Sequence, residues 1–386
     1  MSANAYDIVV IGAGMAGASA AAHLALNRRV LVLEREGQPG YHSTGRSAAL
    51  FSAIYGSEPV RALSRASHDF FYAPPPAFAP APLVRPRAAM HIATAEQAER
   101  LAAFGALPDV APVSRIITRD EALKLCPILR PEQLHSAVVE LEAADVDVHG
   151  LHQGYLRQLR EREGVLLTDR TVEGLGHEGG RWRITSNGEE FFAPVVVNAA
   201  GAWADVIAGL AGVAPIGLQP MRRTAILVEP PAGAEIDDWP MVIDADEQFY
   251  FKPDAGLLLL SPADETPMAP CDVQPDEWDV AVAVDRVETA TTLKITRVKH
   301  RWAGLRSFVA DRTPVAGYDP DAPGFFWLAG QGGYGIQTAP ALSRAAAALV
   351  LDQTIPATIA AHGVNAADLS PARLRQTAQT PREAIG

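Results

Sequence analysis

Residues 8–35 read IVVIGAGMAGASAAAHLALNRRVLVLER. An apolar run, Ile8–Ile11, ends in Gly12-Ala13-Gly14-Met15-Ala16-Gly17 and flows into an alanine-rich helical segment. A second apolar run, Val30–Leu33, then stops at Glu34. Strand, glycines, helix, strand and terminal acid in this order make a dinucleotide-binding βαβ unit. Gly12 permits the tight turn out of the first strand, Gly14 lets backbone approach a pyrophosphate, and Gly17 lets the helix pack close on the strand. Free N–H groups at the helix start attract the anion. Glu34 stands where a carboxylate accepts the hydroxyls of an adenosine ribose.

The rest of the chain is built around that unit. At 386 residues it exceeds what one core usually serves, so two domains are expected. With 48% hydrophobic and 20% charged residues it is a packed globular chain, and only roughly the last fifteen residues look like a tail. A formal net charge of −12 with no basic stripe argues against nucleic acid, while a small anionic substrate needs only one or two placed arginines. Cys126 and Cys271 stand far apart in no metal-ligand spacing. No metal site or disulfide is therefore expected, and a reducing cytoplasmic setting is. The apolar runs, such as 256–260, are too short for a transmembrane segment, and the first strand begins too early to leave room for a signal peptide.

A loop rich in Gly, Ser, Thr and Arg comes after the opening unit at 37–55, and the proline-dense stretch 73–82 (APPPAFAPAP) reads as a stiff connector. Helices are expected at 95–106, 119–126, 148–163, 277–290 and 339–351. Strands are expected at 87–93, 165–168 and 324–329, with a hairpin over 170–185. PVVVNAA at 194–200 reads as a buried parallel strand, followed by a helix to about 211. From 217 to 259 the pattern is that of an antiparallel sheet. The expected fold is α/β (α+β overall): a discontinuous Rossmann-like domain of 1–80, 145–212 and 306–386, and a mostly antiparallel substrate domain of 81–144 and 213–305. Two such domains leave a ligand cleft between them.

The G-x-G-x-x-G pattern recurs twice. Gly174–Gly179 lies inside the hairpin and reads as turn chemistry. Gly330–Gly335 follows a strand and opens a helix, but no second strand or ribose-reading acid comes after it, so only one dinucleotide site is expected.

The stretch LEREGQPGYHSTGRSAA, with VVNAAGAWA (196–204), WAGLRSFVAD (302–311) and FFWLAGQGGYGIQT (325–338), resembles the D-amino-acid-oxidase-like flavoprotein superfamily. Within it the chain is most similar to the bacterial FAD-dependent D-arginine dehydrogenase type of D-amino acid dehydrogenase. The resemblance implies non-covalent FAD and oxidative deamination of a D-amino acid, with a quinone or oxygen as electron acceptor. It assigns Gly12, Gly14, Ala16 and Gly17 to the pyrophosphate and Glu34 with Arg35 to the adenosine. Ser43, Thr44, Gly45, Arg46, Ser47, Ala48, Ala49 and Leu50 wrap the pyrophosphate and the ring edge. Val172 meets adenine, Gly201 belongs to the cofactor set, and Gly332, Gly333, Tyr334, Gly335, Ile336, Gln337 and Thr338 run along the pyrimidine edge. A helix N-terminus there would stabilise charge on the reduced ring.

A D-amino acid presents a carboxylate that a bidentate arginine orients best. Arg306, among apolar residues, and Arg223, selected over Arg222 by the family match, are the candidates; a structural ion pair is the alternative for each. Tyr55 and Tyr250 match the tyrosines that close the family's pocket. No general base is evident, and none is needed when the amine binds neutral, so His42 and His91 should not govern the rate. The side-chain pocket is assigned to Leu50, Ala89 and Gly333. Ala89 and Leu50 stand where relatives selective for basic substrates carry a glutamate and a histidine, which predicts apolar or aromatic D-amino acids, unless Glu247 or Asp246 compensates. A secondary-amine or 2-hydroxy acid oxidoreductase, or a non-enzymatic flavin scaffold, are the rival readings.

Overall fold

The computed structural model describes residues 4–377. One sheet draws on four separate stretches of chain. Its spatial order is Val315–Tyr318, Phe325–Ala329, Val195–Asn198, Ile8–Ile11, Val30–Leu33, Val165–Leu167. All neighbours run parallel except the first pair. The runs IVVI and VLVL are buried at every position because both sheet faces are covered. Ile8, Val10, Val30 and Val32 pack against the alanine-rich helices Met15–Leu24 and Ala339–Val350. Val9, Ile11, Leu31 and Leu33 pack against a three-stranded antiparallel sheet, Val172–Glu178, Arg181–Ser186 and Glu189–Ala193.

A larger sheet has the order Thr266–Pro267, Gln219–Val228, Leu257–Ser261, Tyr250–Asp254, Met241–Asp244, Ala89–Ala93, Ser136–Glu140, Arg115–Thr118. Only Met241–Asp244 and Ala89–Ala93 pair in parallel. Helix Glu277–Ala290, capped by the Asp276 carboxylate on Trp278 N, covers one face, where Val280 and Val287 join Ile226, Phe251 and Leu260. The fold is α/β with a Rossmann-like domain and a second sheet domain, as expected.

Several elements depart from the patterns. Val298–Phe308 is an eleven-residue strand paired along Gln219–Val228, so the expected boundary at 305/306 falls inside it. No element is expected between 55 and 73, yet Glu58–Tyr72 is a helix, with Pro59 in its first turn and Val60, Leu63, Ser67 and Phe71 buried on one face. The proline-dense stretch, expected as a stiff connector, is also anchored in the core: Phe78 is 2% exposed, its ring 4.7 Å from Phe70 and 4.9 Å from Tyr155. Of the expected tail, Ala372–Thr377 is helical, and 378–386 lie outside the described residues. GLGHEG does belong to a hairpin, turning at Gly179 and Gly180 with φ of +58° and +75°.

Candidate active site

The first glycine turn is set by sterics. Gly12 has φ +99°, and a Cβ there would lie 2.5 Å from Ala199 O; a Cβ at Gly17 would lie 1.9 Å from Gly12 O. Glu34, 9% exposed, accepts Ala13 N at 2.7 Å and Glu36 N at 2.9 Å, which holds its carboxylate beside that turn. The Arg35 guanidinium lies 4.2 Å over the Trp203 ring and pairs with Glu36, which His42 Nε2 also contacts at 2.8 Å. Thr44 Oγ1 accepts from Met15 N, at the start of the first helix.

From this end a long cavity runs between the two sheets to Gly332, Gly333, Arg223, Tyr250 and Arg306. Gly12, Gly14, Ala16, Glu34, Arg35, Ser43, Thr44, Arg46, Ser47, Ala48, Val172, Gly201, Gly335 and Ile336 line it as well. Gly17, Gly45, Ala49, Leu50, Gln337 and Thr338 do not. Gly17 serves helix–strand packing, Gln337 is bonded to Ser52 and Ser64, and the Thr338 hydroxyl donates to Tyr334 O. Two expected phosphate contacts are otherwise engaged. Ser43 donates to Leu305 O, and Arg46 holds Val273 O, Ala303 O and Asp272, tying the 37–55 loop to the larger sheet.

Strand register builds the other end. Arg223 pairs with Gly304 and Met221 with Arg306, so both guanidiniums leave the same face of the sheet. Arg222 leaves the opposite face and meets Asp279 at 2.8 Å. Arg306 donates to the Tyr55 and Tyr250 hydroxyls, each at 3.5 Å, and among the described residues it pairs with no carboxylate. A Cβ at Gly333 would lie 3.0 Å from its Nη1, so glycine leaves room for the fork. Arg223, 7% exposed, is paired: it donates to Asp264 O at 2.8 Å and to Glu265 at 3.2 Å, and Glu265 also holds Arg312 at 2.6 Å. Burial pushes the Tyr250 phenol up, but Arg306 and Arg223 outweigh it and hold it below the usual tyrosine range. At Tyr55 burial prevails and the phenol sits above that range.

A second, outer cavity is lined by Tyr55, Tyr334, His91, Glu247, Arg312 and Arg223. Burial pushes His91 down to about 4, and its Nε2 is buried without a partner. Tyr334 faces this outer space rather than the long cavity. Ala89, 0% exposed within the sheet, lines neither cavity, and Leu50 packs beside Tyr250 with Ala48, Met241, Ile243 and Trp302. Asp246 is bound by Arg100 and Gln97, whereas Glu247 is exposed.

These residues fit FAD. The glycine turn has no room for a Cβ, and Gln331, on the cavity wall, has a buried Nε2 without a partner. Trp203, Gln331 and the Glu265–Arg312 pair are site residues that sequence patterns missed. Only Trp203 carried a signal, as an aromatic directly after a buried strand. Among the described residues no cluster could hold a metal ion, and no helix is long and apolar enough to cross a membrane.

The FAD dependent oxidoreductase (DAO) family model matches residues 7–349. "FAD-dependent oxidoreductase domain-containing protein 1" of Xenopus laevis is 26% identical over 47% of this chain and 40% of its own length. Its Bos taurus counterpart is 27% identical over 61% and 58%. The chain therefore spans less than two thirds of these curated relatives. A glycine oxidase from Geobacillus kaustophilus superposes with a TM-score of 0.79 at 22% identity, covering 91% of this chain and 95% of that one. The chain belongs to the DAO family of FAD-dependent oxidoreductases.

Proposed function

We propose that the chain catalyses oxidative deamination of D-amino acids to 2-oxo acids and ammonia. Bound FAD supplies, at its N5, the acceptor for the Cα hydrogen and its electron pair. Arg306 carries this reading: a guanidinium between two phenol hydroxyls at the glycine-rich end of the cavity, with no carboxylate of its own among the described residues. A planar fork in that state is completed by an α-carboxylate, held in both position and rotation. Tyr55 and Tyr250 flank the carboxylate and keep water from it, and Arg223 adds positive charge behind Tyr250, its Cζ 6.0 Å from the ring centroid.

FAD is held without a covalent bond by the residues from Gly12 to Ile336 that line the cavity, and the substrate domain is 81–144 with 213 to the end of the strand Val298–Phe308. No side chain is asked to remove a proton from carbon. The substrate enters with a neutral amine, and a quinone or oxygen reoxidises the cofactor. Apolar or aromatic side chains are preferred, a reading supported by the apolar cluster that Ala48, Ala225 and Tyr250 bring to the cavity wall. Glycine or a secondary amine is the second reading, favoured by the likeness to a glycine oxidase. Anaerobic bleaching of the flavin absorbance over a panel of D-amino acids, their L-enantiomers, glycine and sarcosine tests both. Bleaching by D-phenylalanine and D-methionine is expected, with D-arginine at least tenfold less effective. Bleaching by glycine or sarcosine alone would overturn the first reading in favour of the second.

A further inference from the structure

One polar cluster stands outside the machinery named so far. Glu140 ends the strand Ser136–Glu140 and is 2% exposed, and no lysine or arginine among the described residues pairs with it. Its carboxylate accepts from the Ser52 hydroxyl at 2.5 Å and from Ala53 N at 2.7 Å. Ser52 N donates to Gln337 Oε1 at 3.2 Å, and Gln337 Nε2 donates to the Ser64 hydroxyl at 2.8 Å. A carboxylate buried without a cation is costly, and an apolar side chain would fill the same space more cheaply.

What the cluster holds is the segment carrying Tyr55. Val138, on the same strand as Glu140, packs against Ile54, and Arg61 donates to Gly56 O at 2.6 Å. Tyr55 sits between these anchorages. Its hydroxyl meets Arg306, and its ring lies 4.9 Å from that of Tyr334. Gln337 belongs to the glycine-rich segment, whose Gly333 backs onto both the Arg306 guanidinium and the Tyr55 hydroxyl. One carboxylate thus fixes two segments that meet at the clamp.

We infer that Glu140 is a positioning residue: through Ser52, Ala53 and Gln337 it fixes Tyr55 against Arg306 and so sets the affinity for carboxylate ligands. This rests on Arg306 being the carboxylate-binding group. Glu140→Gln keeps the shape, but its Nε2 accepts nothing, so either the Ser52 hydroxyl or Ala53 N loses its acceptor.

The test is a titration of the FAD-loaded enzyme with benzoate, followed by flavin absorbance, beside steady-state kinetics with D-methionine. Loss of one charged hydrogen bond in Glu140→Gln raises the benzoate Kd and the KM about tenfold, while kcat stays within about threefold and flavin content is unchanged. In a Tyr55→Phe background the same substitution adds less than about twofold, because the residue it acts through is already altered. Should Glu140→Gln fail to fold, Ser52→Ala, which deletes one donor, is read in the same cycle. Variants that bind benzoate as the wild type does overturn this inference alone, as does a tenfold loss that persists in the Tyr55→Phe background. A wild type that ignores benzoate overturns the clamp itself, and this inference with it.

Discussion

Replacing Arg306 should move activity and stability in opposite directions. Its fork has only two phenol contacts at 3.5 Å and no carboxylate among the described residues, so under the proposed function its charge serves a ligand rather than the fold. Arg306→Lys keeps the charge but loses bidentate geometry, which is one charged hydrogen bond, about 1.5–3 kcal/mol. That corresponds to a loss of about 10- to 150-fold in kcat/KM and in benzoate affinity. Arg306→Met leaves the ligand carboxylate without a partner, which costs about 3–5 kcal/mol, or roughly 150- to 4,000-fold. The same change removes a half-buried cation that no carboxylate among the described residues pairs, so the apoprotein's Tm should hold or rise. Arg223→Met is the contrast. It strips Asp264 O and Glu265 of a donor, and should lower both Tm and affinity. The assays are steady-state kinetics with D-methionine, benzoate titration of the FAD-loaded enzyme and thermal unfolding of the apoprotein. An Arg306→Lys enzyme with wild-type KM and benzoate Kd, or an Arg306→Met apoprotein that melts lower than wild type, would refute the reasoning.

Other outcomes rest on the same geometry. Gly12→Ala places a Cβ 2.5 Å from Ala199 O at φ +99°, a backbone penalty of about 1–2 kcal/mol before the contact itself, and the protein should purify without flavin absorbance. The rate should rise with pH through one ionisation, that of the substrate amine; loss of that rise in His42→Ala or His91→Ala would contradict it. His91 and Glu140 should shape the pH dependence of stability with opposite signs. Burial lowers His91 from 6.5 to about 4, so as pH falls through that window the unfolded chain takes up a proton that the folded one refuses, and up to about 3 kcal/mol of stability is lost. Burial raises Glu140 from 4.5 to about 7, so its contribution is complete at low pH and is lost as pH rises through 7. The slopes offset from about 4.5 to 6.5, and His91→Phe should leave stability falling as pH rises there; a melting curve against pH parallel to wild type would exclude this.

How far the sequence discloses this protein depends on whether a residue's role is local. The turn at Gly12, the acid at Glu34 and the continuous strands could be read because each is explained within a few residues: a φ of +99°, a strand end, a run buried on both faces. Arg222 and Arg223 are adjacent and chemically identical, yet one meets Asp279 and the other Glu265 and Tyr250. Strand alternation separates them, but which face holds the site is decided by pairing with Gly304 and Leu305 some eighty residues away. Arg46 belongs to a segment, 43–50, that the resemblance assigns to the pyrophosphate and ring edge, and it does line the cavity, but its anchorage is not legible there. Its partners, Asp272 and Val273 in a loop and Ala303 on the strand Val298–Phe308, lie more than two hundred residues away, and nothing in GRSAAL points to them. Ala89 marks the same limit. A missing carboxylate can be read from a motif, but that the position is sealed inside the sheet, away from both cavities, is fixed only by strand register. The glycine-rich segment at 330–335 joins the two cases. Its local chemistry shows a turn, and only the long strand Val298–Phe308, hidden by mixed polar and apolar residues, shows that the turn faces a guanidinium.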